Sequence, residues 1–188
     1  MARYEEISTI ARTTGDRLLM GRNLNNMAEW YRVRGNAVEA GACYEESLAN
    51  HRAMNPGMVA VVLCNYARLL IGQGETERPR AQLIECIAIA EANGLRGMDE
   101  HLLEVGAGLA AVMGSPLDAA RWHGASLSRM QESGAKRETA DEAFLAPLLG
   151  RAREALGQAA FDAAERAGMA HKREASLAEL QAWLTSSI

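Results

Sequence analysis

An all-α fold made of repeated helix pairs is predicted by three features of the sequence. Ala, Leu, Glu, Arg and Gly dominate, β-branched residues are sparse and the 188 residues include only 4 prolines, a composition that favours helix. Gly35, Gly74 and Gly114 recur with a period of about 40 residues, which is typical of helical repeat arrays. Helix start and stop signals flank these intervals. The repeated unit is therefore two helices joined by a turn.

Residues on both sides of each glycine support the repeat because they match in size. Small residues at these positions allow two helices to cross closely, and large residues fill the space beside the crossing. The matching positions are Leu24, Ala28, Ala40 and Tyr44 in the first unit, Leu63, Ala67, Pro79 and Leu83 in the second, and Leu103, Ala107, Ala119 and His123 in the third.

This pattern resembles the tetratricopeptide repeat, and the resemblance implies a right-handed solenoid of antiparallel helix pairs. The period exceeds the roughly 34 residues usual for that repeat, so we expect longer helices or connections. The chain is read as one domain, with one helix of an incomplete repeat, three repeats and C-terminal capping helices. The corresponding ranges are 1–15, then 16–54, 55–94 and 95–134, and finally 135–188.

Capping residues place the individual helices in order along the chain. A glycine in the left-handed conformation ends a helix, and a short polar side chain, often followed by proline, begins one. Pro79 requires its helix to begin at or after Glu77. The predicted ends are Gly15 and Gly94, and the predicted starts are Asp16, Asn55-Pro56 and Ser115-Pro116.

The first helix, over Tyr4–Thr14, looks like the second helix of an earlier unit whose first helix is missing. Its apolar face then needs a cover, because a repeat cannot bury that face alone. We therefore expect either a fragment of a larger protein or an N-terminal face that meets a partner or a second copy. A homodimer through this face is one alternative role for the chain.

After Gly134 the period is lost, and two capping-box patterns place the remaining helices. Thr139-x-x-Glu142 predicts a helix over about 140–156, and Ser176-x-x-Glu179 predicts one over 177–186, with another between Gln158 and Ala167. The tail over 115–186 resembles the end of the repeat region in large bacterial LuxR-type and SARP-type regulators with an ATPase domain. The resemblance implies a cytoplasmic part of a signalling or transcriptional regulator. Neither a phosphate-binding G-x-x-x-x-G-K-S/T motif nor a DNA-reading helix-turn-helix is recognisable here.

Charge and cysteine content exclude several classes of function. The net charge of −4 gives no global attraction to nucleic acid or to anionic membranes, and no apolar run reaches the length of a membrane helix. Basic residues at Lys136-Arg137 and Arg151 alternate with Asp141 and Glu142, which is typical of a solvated helix face. Three cysteines without close spacing favour a reducing cytoplasm and buried thiols that act as small apolar side chains.

Enzyme-like patterns are present but fit packing better than chemistry. Gly106-x-Gly108-x-x-Ala111 matches a dinucleotide fingerprint, but it lies within a helical repeat, whereas that site follows a strand. His101 and Glu104 are one helical turn apart and could form a metal or acid–base pair, although no third ligand stands at helical spacing. His123 occupies a core position, which favours a hydrogen-bonded core histidine. We therefore predict no catalytic, metal or cofactor-binding residue.

The inner wall formed by the first helices of the three units is the predicted binding surface. We expect a non-catalytic scaffold that holds a peptide, a protein segment or a small effector there, without contacting nucleic acid or membrane. The alternatives are an oligomerisation module and a small-molecule-binding accessory protein or enzyme that uses the same wall. The wall residues are Arg22, Asn25, Asn26, Glu29, Arg32, Asn65, Arg68, His101 and Glu104.

Overall fold

The computed structural model describes residues 1–186, and over these residues the chain is all-α. It contains ten α-helices and a short 3-10 turn at Arg96–Met98, without a strand in the described part. None of these helices is long and apolar enough to cross a membrane. The helices are α1 (Ala2–Thr14), α2 (Arg17–Val33), α3 (Ala37–His51), α4 (Pro56–Gly72), α5 (Glu77–Asn93), α6 (Asp99–Val112), α7 (Pro116–Ser133), α8 (Thr139–Leu156), α9 (Gln158–Met169) and α10 (Arg173–Thr185).

The helix ends that the sequence marks most clearly lie where they were predicted. Gly15 and Gly94 end α1 and α5 with φ of 68° and 63°, a left-handed conformation that glycine adopts without strain. The carboxylate of Asp16 accepts a hydrogen bond from the Leu19 amide at 2.9 Å at the start of α2. Asn55 accepts one from the Met58 amide at 3.1 Å at the start of α4.

Both predicted capping boxes are wrong. Thr139 is already the first residue of α8, and Glu142 forms an ion pair with Arg137 at 2.7 Å instead of capping the helix. α10 begins at Arg173, so Ser176 lies inside the helix and donates to the Lys172 carbonyl at 3.2 Å. In both cases the side chains form other short-range contacts than the ones a capping box requires.

The repeated positions form the core of the helix pairs. α2 packs on α3, α4 on α5 and α6 on α7, and each pair also contacts the next. The matching positions in the three units are all buried, including Ala28, Ala67 and Ala107 at 0% exposure. The close crossings expected from these alanines are therefore present. The all-α prediction is confirmed, while the handedness and tetratricopeptide-like stacking of the array stay predictions.

The three C-terminal helices pack back onto helices of the second and third pairs. α8 contacts α6 and α7, α9 contacts α7, and α10 contacts α5, α6 and α7. The two glycines of the dinucleotide-like pattern make this possible, because a Cβ at Gly106 would lie 2.7 Å from the Leu180 side chain and one at Gly108 would lie 2.7 Å from Phe144. These glycines lie in the interior of α6 and serve close helix packing, as the sequence argument favoured.

Candidate functional site

Hydrogen bonds join predicted wall residues from all three first helices into one network. The side-chain amide of Asn65 on α4 donates to Asn25 on α2 at 3.2 Å. Arg68, one turn further along α4, donates to the Asn65 carbonyl oxygen at 2.8 Å and lies 3.3 Å from Nδ1 of His101 on α6. The network therefore crosses the three repeat units at the positions that the register predicted.

Glu29 and Arg32 extend the network along α2 and tie it to α3. Arg32 contacts Glu29 at 2.7 Å, and the buried Tyr44 hydroxyl donates to the same carboxylate. Burial opposes the charge on Arg32, but the hydrogen bond and the charge of Glu29 outweigh it and raise the pKa of Arg32. Burial and the nearby carboxylate both raise the pKa of Tyr44. Arg32 therefore stays charged beside Glu29, and Tyr44 is a neutral donor.

The start of α8 supplies the part of the site that sequence reasoning missed. Oδ1 of Asp141 lies 3.5 Å from Nε of Arg68 and 3.7 Å from a terminal nitrogen of Arg32. Arg137, just before the helix, forms an ion pair with Glu104 on α6. The prediction that this charged segment is a solvated helix face is wrong for these two side chains, whose exposure is only 14%.

Burial separates the predicted wall into a structural part and an accessible part. Arg68 and Glu104 are 4% and 3% exposed, so their charges are stable only while partners surround them. Arg22 and Asn26 are exposed, and neither side chain is part of the hydrogen-bonded network described above. Three residues of the predicted binding wall, Arg68, Glu104 and Asn25, are therefore buried and offer little surface to a ligand.

Two cavities flank the point where α8 meets the wall. The first has a volume of about 420 Å³ and a largely polar lining that includes Asn25, Asn26, Glu29, Asn65 and His101. We call it the polar cavity. The second, of about 490 Å³, lies between α2, α4 and α8 and has Leu69, Phe144 and Leu148 among its apolar lining residues. Arg32 contributes to the second cavity, and Arg68 lines both.

Asp141 lies close enough to His101 and Glu104 to be a third potential metal ligand, which the spacing in the sequence did not indicate. A ligand atom from each of His101, Glu104 and Asp141 lies within 4.8 Å of the other two. The guanidinium of Arg68, however, lies 3.3 Å from the first, 3.9 Å from the second and 3.5 Å from the third. A metal ion would meet this buried positive charge directly, so the arrangement favours Arg68 as the cation that holds the three groups.

The other histidine at a repeat position is a core residue, as predicted. His123 is 8% exposed, and its Nδ1 lies 2.7 Å from a carboxylate oxygen of Glu165 on α9. Burial lowers the pKa of His123, and the adjacent carboxylate opposes that shift only in part. Cys64 and Cys86 are also buried, in agreement with the expected packing role of the thiols.

Comparison of the chain with models of known protein families, with curated proteins and with solved structures finds no significant match.

Proposed function

We propose that this chain is a non-catalytic helical scaffold that binds a peptide or protein segment in the polar cavity. The observation that carries the proposal is the network that joins the first helices of three successive units around one opening. Asparagine side chains at such an opening can both donate to and accept from an extended peptide backbone. A right-handed tetratricopeptide-like stacking of the pairs is part of this proposal, since it would place the three first helices on one concave side.

The buried ion pairs support a binding role over a catalytic one. Catalytic groups need free hydrogen-bonding positions directed at a substrate. Here Arg32, Arg68 and Arg137 face Glu29, Glu104 and Asp141 within the protein. These groups hold the walls of the cavity in place and leave the exposed Asn26 and the half-buried His101 as contacts for a ligand. Pre-organised walls reduce the entropy lost when a flexible segment binds.

The resemblance of the tail to LuxR-type and SARP-type regulators gives the proposal a setting. In such a regulator, the scaffold would sense a partner or effector in the cytoplasm and bias the activity of attached domains. A ligand can do this only if it binds one arrangement of those domains more tightly than the other.

A linear peptide library displayed on phage and selected on the full chain tests the proposed site. Asn26→Arg would place a long side chain in the polar cavity from an exposed position, so the selected peptides should lose at least about tenfold in affinity. Asn93→Arg, an equally exposed change at the end of α5, is the matched control and should leave affinity unchanged. Selected peptides that bind both variants equally well would contradict the proposal.

A further inference from the structure

Two of the three cysteines form a buried pair between α4 and α5. The Sγ atoms of Cys64 and Cys86 lie 3.5 Å apart, and the two residues are 1% and 0% exposed. The Cys86 thiol also donates a hydrogen bond to the Ala60 carbonyl oxygen at 3.3 Å. We propose that Cys64 and Cys86 are an oxidisable dithiol, which a small hydroperoxide converts to a disulfide within the folded protein.

The positions of the two thiols make this bond accessible from the native fold. The residues lie on consecutive helices that pack directly against each other, so they are already neighbours in the folded state. A disulfide requires an S–S distance of about 2.05 Å, so the two sulfur atoms must approach by about 1.5 Å. Rotations of both side chains can share this movement. Cys43, by contrast, lies on α3 and is only partly buried.

The surroundings assign different roles to the two thiols. The hydrogen bond with Cys86 and the positive charge of Arg68 lower the pKa of Cys64, while the same pairing and burial raise the pKa of Cys86. Cys64, and not Cys86, is among the residues that line the polar cavity, beside Arg68, so it is the thiol that meets and attacks an oxidant. Burial and the neighbouring carboxylates of Glu46 and Glu39 raise the pKa of Cys43, which makes it the less reactive thiol.

A route for a small oxidant leads through the polar cavity. Cys64 is among its lining residues, next to Asn65 and Arg68. A hydroperoxide such as hydrogen peroxide is small enough to enter a space of about 420 Å³, whereas bulky thiol reagents should not reach the side chain. This separation of reagents by size is part of the proposal.

The reaction balances with hydrogen peroxide as the oxidant. The Cys64 thiolate attacks one peroxide oxygen, the O–O bond breaks, and the hydroxide that leaves takes up the Cys64 proton to form water. The Cys86 sulfur then attacks the Cys64 sulfenic acid, the S–O bond breaks, and its hydroxyl leaves as a second water with the Cys86 proton. Two thiols and one peroxide thus give one disulfide and two waters.

Mass spectrometry of the full chain tests the proposal. The reduced protein is treated with hydrogen peroxide under native conditions, confirmed as folded by circular dichroism, and then denatured in the presence of an alkylating agent. The expected product has lost two hydrogen atoms and carries one alkyl group, on Cys43, with a proteolytic fragment that links Cys64 to Cys86. Alkylation of all three cysteines would overturn the proposal, as would a bond that includes Cys43.

Variants separate this reaction from general thiol oxidation. Cys43→Ser should form the same disulfide at the same rate, because it leaves the pair intact. Cys86→Ala should stop at the sulfenic acid of Cys64, which a dimedone-type reagent labels after denaturation. Equal loss of thiols from Cys43 and Cys64 in the native wild-type protein would also overturn the proposal, and that measurement does not depend on a variant being folded.

Discussion

Arg68 shows how one side chain can be predicted in position and still be misjudged in role. Its register on α4 places it on the inner wall, where a contact with a ligand was expected. The structure instead surrounds it with Asn65, His101, Glu104 and Asp141 and leaves it 4% exposed. The charged and imidazole partners come from two other helices, α6 and α8, and the packing of α8 on the wall is a long-range event that no local pattern indicates.

Replacing Arg68 by Met should therefore destabilise the fold. The change keeps an unbranched apolar stem but removes the guanidinium, which leaves the carboxylates of Glu104 and Asp141 without their shared cation. Breaking a buried ion pair costs about 3 kcal/mol or more. Urea unfolding measures this difference. Arg22→Met, at an exposed position of the same wall, is the control and should change the free energy of unfolding by less than about 0.5 kcal/mol. Equal effects of the two variants would contradict the structural role of Arg68.

His51 gives the protein a pH-dependent stability. It is fully buried against Gly21, and burial together with the charge of Arg22 lowers its pKa from the ordinary value of 6.5. The unfolded chain then binds a proton at a higher pH than the folded chain does. The free energy of unfolding should be at its full value above about pH 6.5 and decrease as the pH falls towards the pKa of the folded state.

The test compares thermal unfolding of the wild type and of His51→Met at pH 7.5 and pH 5.5, two values on either side of roughly 6.5. The wild type should lose more stability on acidification than the variant. A residual loss in the variant is expected from His123, whose pKa burial also lowers. Identical pH dependence in the two proteins would show that His51 does not contribute.

Among the helix crossings, that of α7 and α9 depends most on glycine, because the two backbones approach too closely for a Cβ atom. A Cβ at Gly124 would lie 1.9 Å from the Glu165 carbonyl oxygen, and one at Gly168 would lie 1.8 Å from the Arg121 carbonyl oxygen. Both obstacles are backbone atoms, which cannot move without moving the helix. The two glycines therefore set the distance between α7 and α9.

Gly168→Ala should push α9 away from α7 and lower the free energy of unfolding by about 3 kcal/mol, the upper range for overpacking. Gly150→Ala is the matched control, since a Cβ there meets nothing within 4 Å. Inside α8 that change should instead stabilise the protein by about 0.5–1 kcal/mol through helix propensity. Chemical unfolding of the two variants distinguishes the effects by sign. A neutral Gly168→Ala would mean that the crossing is looser than described.

The sequence predicts a helix end correctly where no charged neighbour competes for the capping residues. Gly15, Asp16, Asn55 and Gly94 act on backbone groups a few residues away, and their helix ends were predicted correctly. Thr139 and Ser176 have equally good local patterns. Ion pairs with Arg137 and Arg121 engage the acids of those patterns, so neither acid caps its helix. α8 still begins within one residue of its predicted start, whereas α10 begins one turn earlier than predicted.

For the whole molecule, the repeat register predicted the core but not the way the chain folds back. Alanines and leucines at matching positions become buried in every unit, because a period in sequence implies the same environment in each copy. The repeat register also gave the residues of the inner wall on α2, α4 and α6. The other half of the site, Arg137 and Asp141, lies beyond the last repeat, where no period relates sequence to position.

Because α8 and the residues just before it contact the earlier helices, we expect the protein to unfold as one unit. Nearest-neighbour arrays can unfold unit by unit, but here Asp141 lies beside arginines of both α2 and α4, and Arg137 binds α6. Trp30 reports on α2, and the Trp122–Trp183 pair, with ring centroids 4.7 Å apart, reports on α7 and α10. In Trp30→Phe and in Trp122→Phe/Trp183→Phe proteins, the fluorescence midpoints in urea should coincide with the midpoint by circular dichroism.

Adding Asp141→Ala to both tryptophan backgrounds should separate the two midpoints. Without its carboxylate, α8 no longer pairs with Arg32 and Arg68, and these arginines lose part of the charge that compensates their burial. The Trp30 signal should then change at a lower urea concentration than the signal of the Trp122–Trp183 pair. Asp162→Ala is the control and should leave the midpoints together. In the described chain, the only side-chain hydrogen bond of Asp162 is with Gln158 on the same helix, α9. Midpoints that already differ with Asp141 present would show that the contacts of α8 do not couple the units.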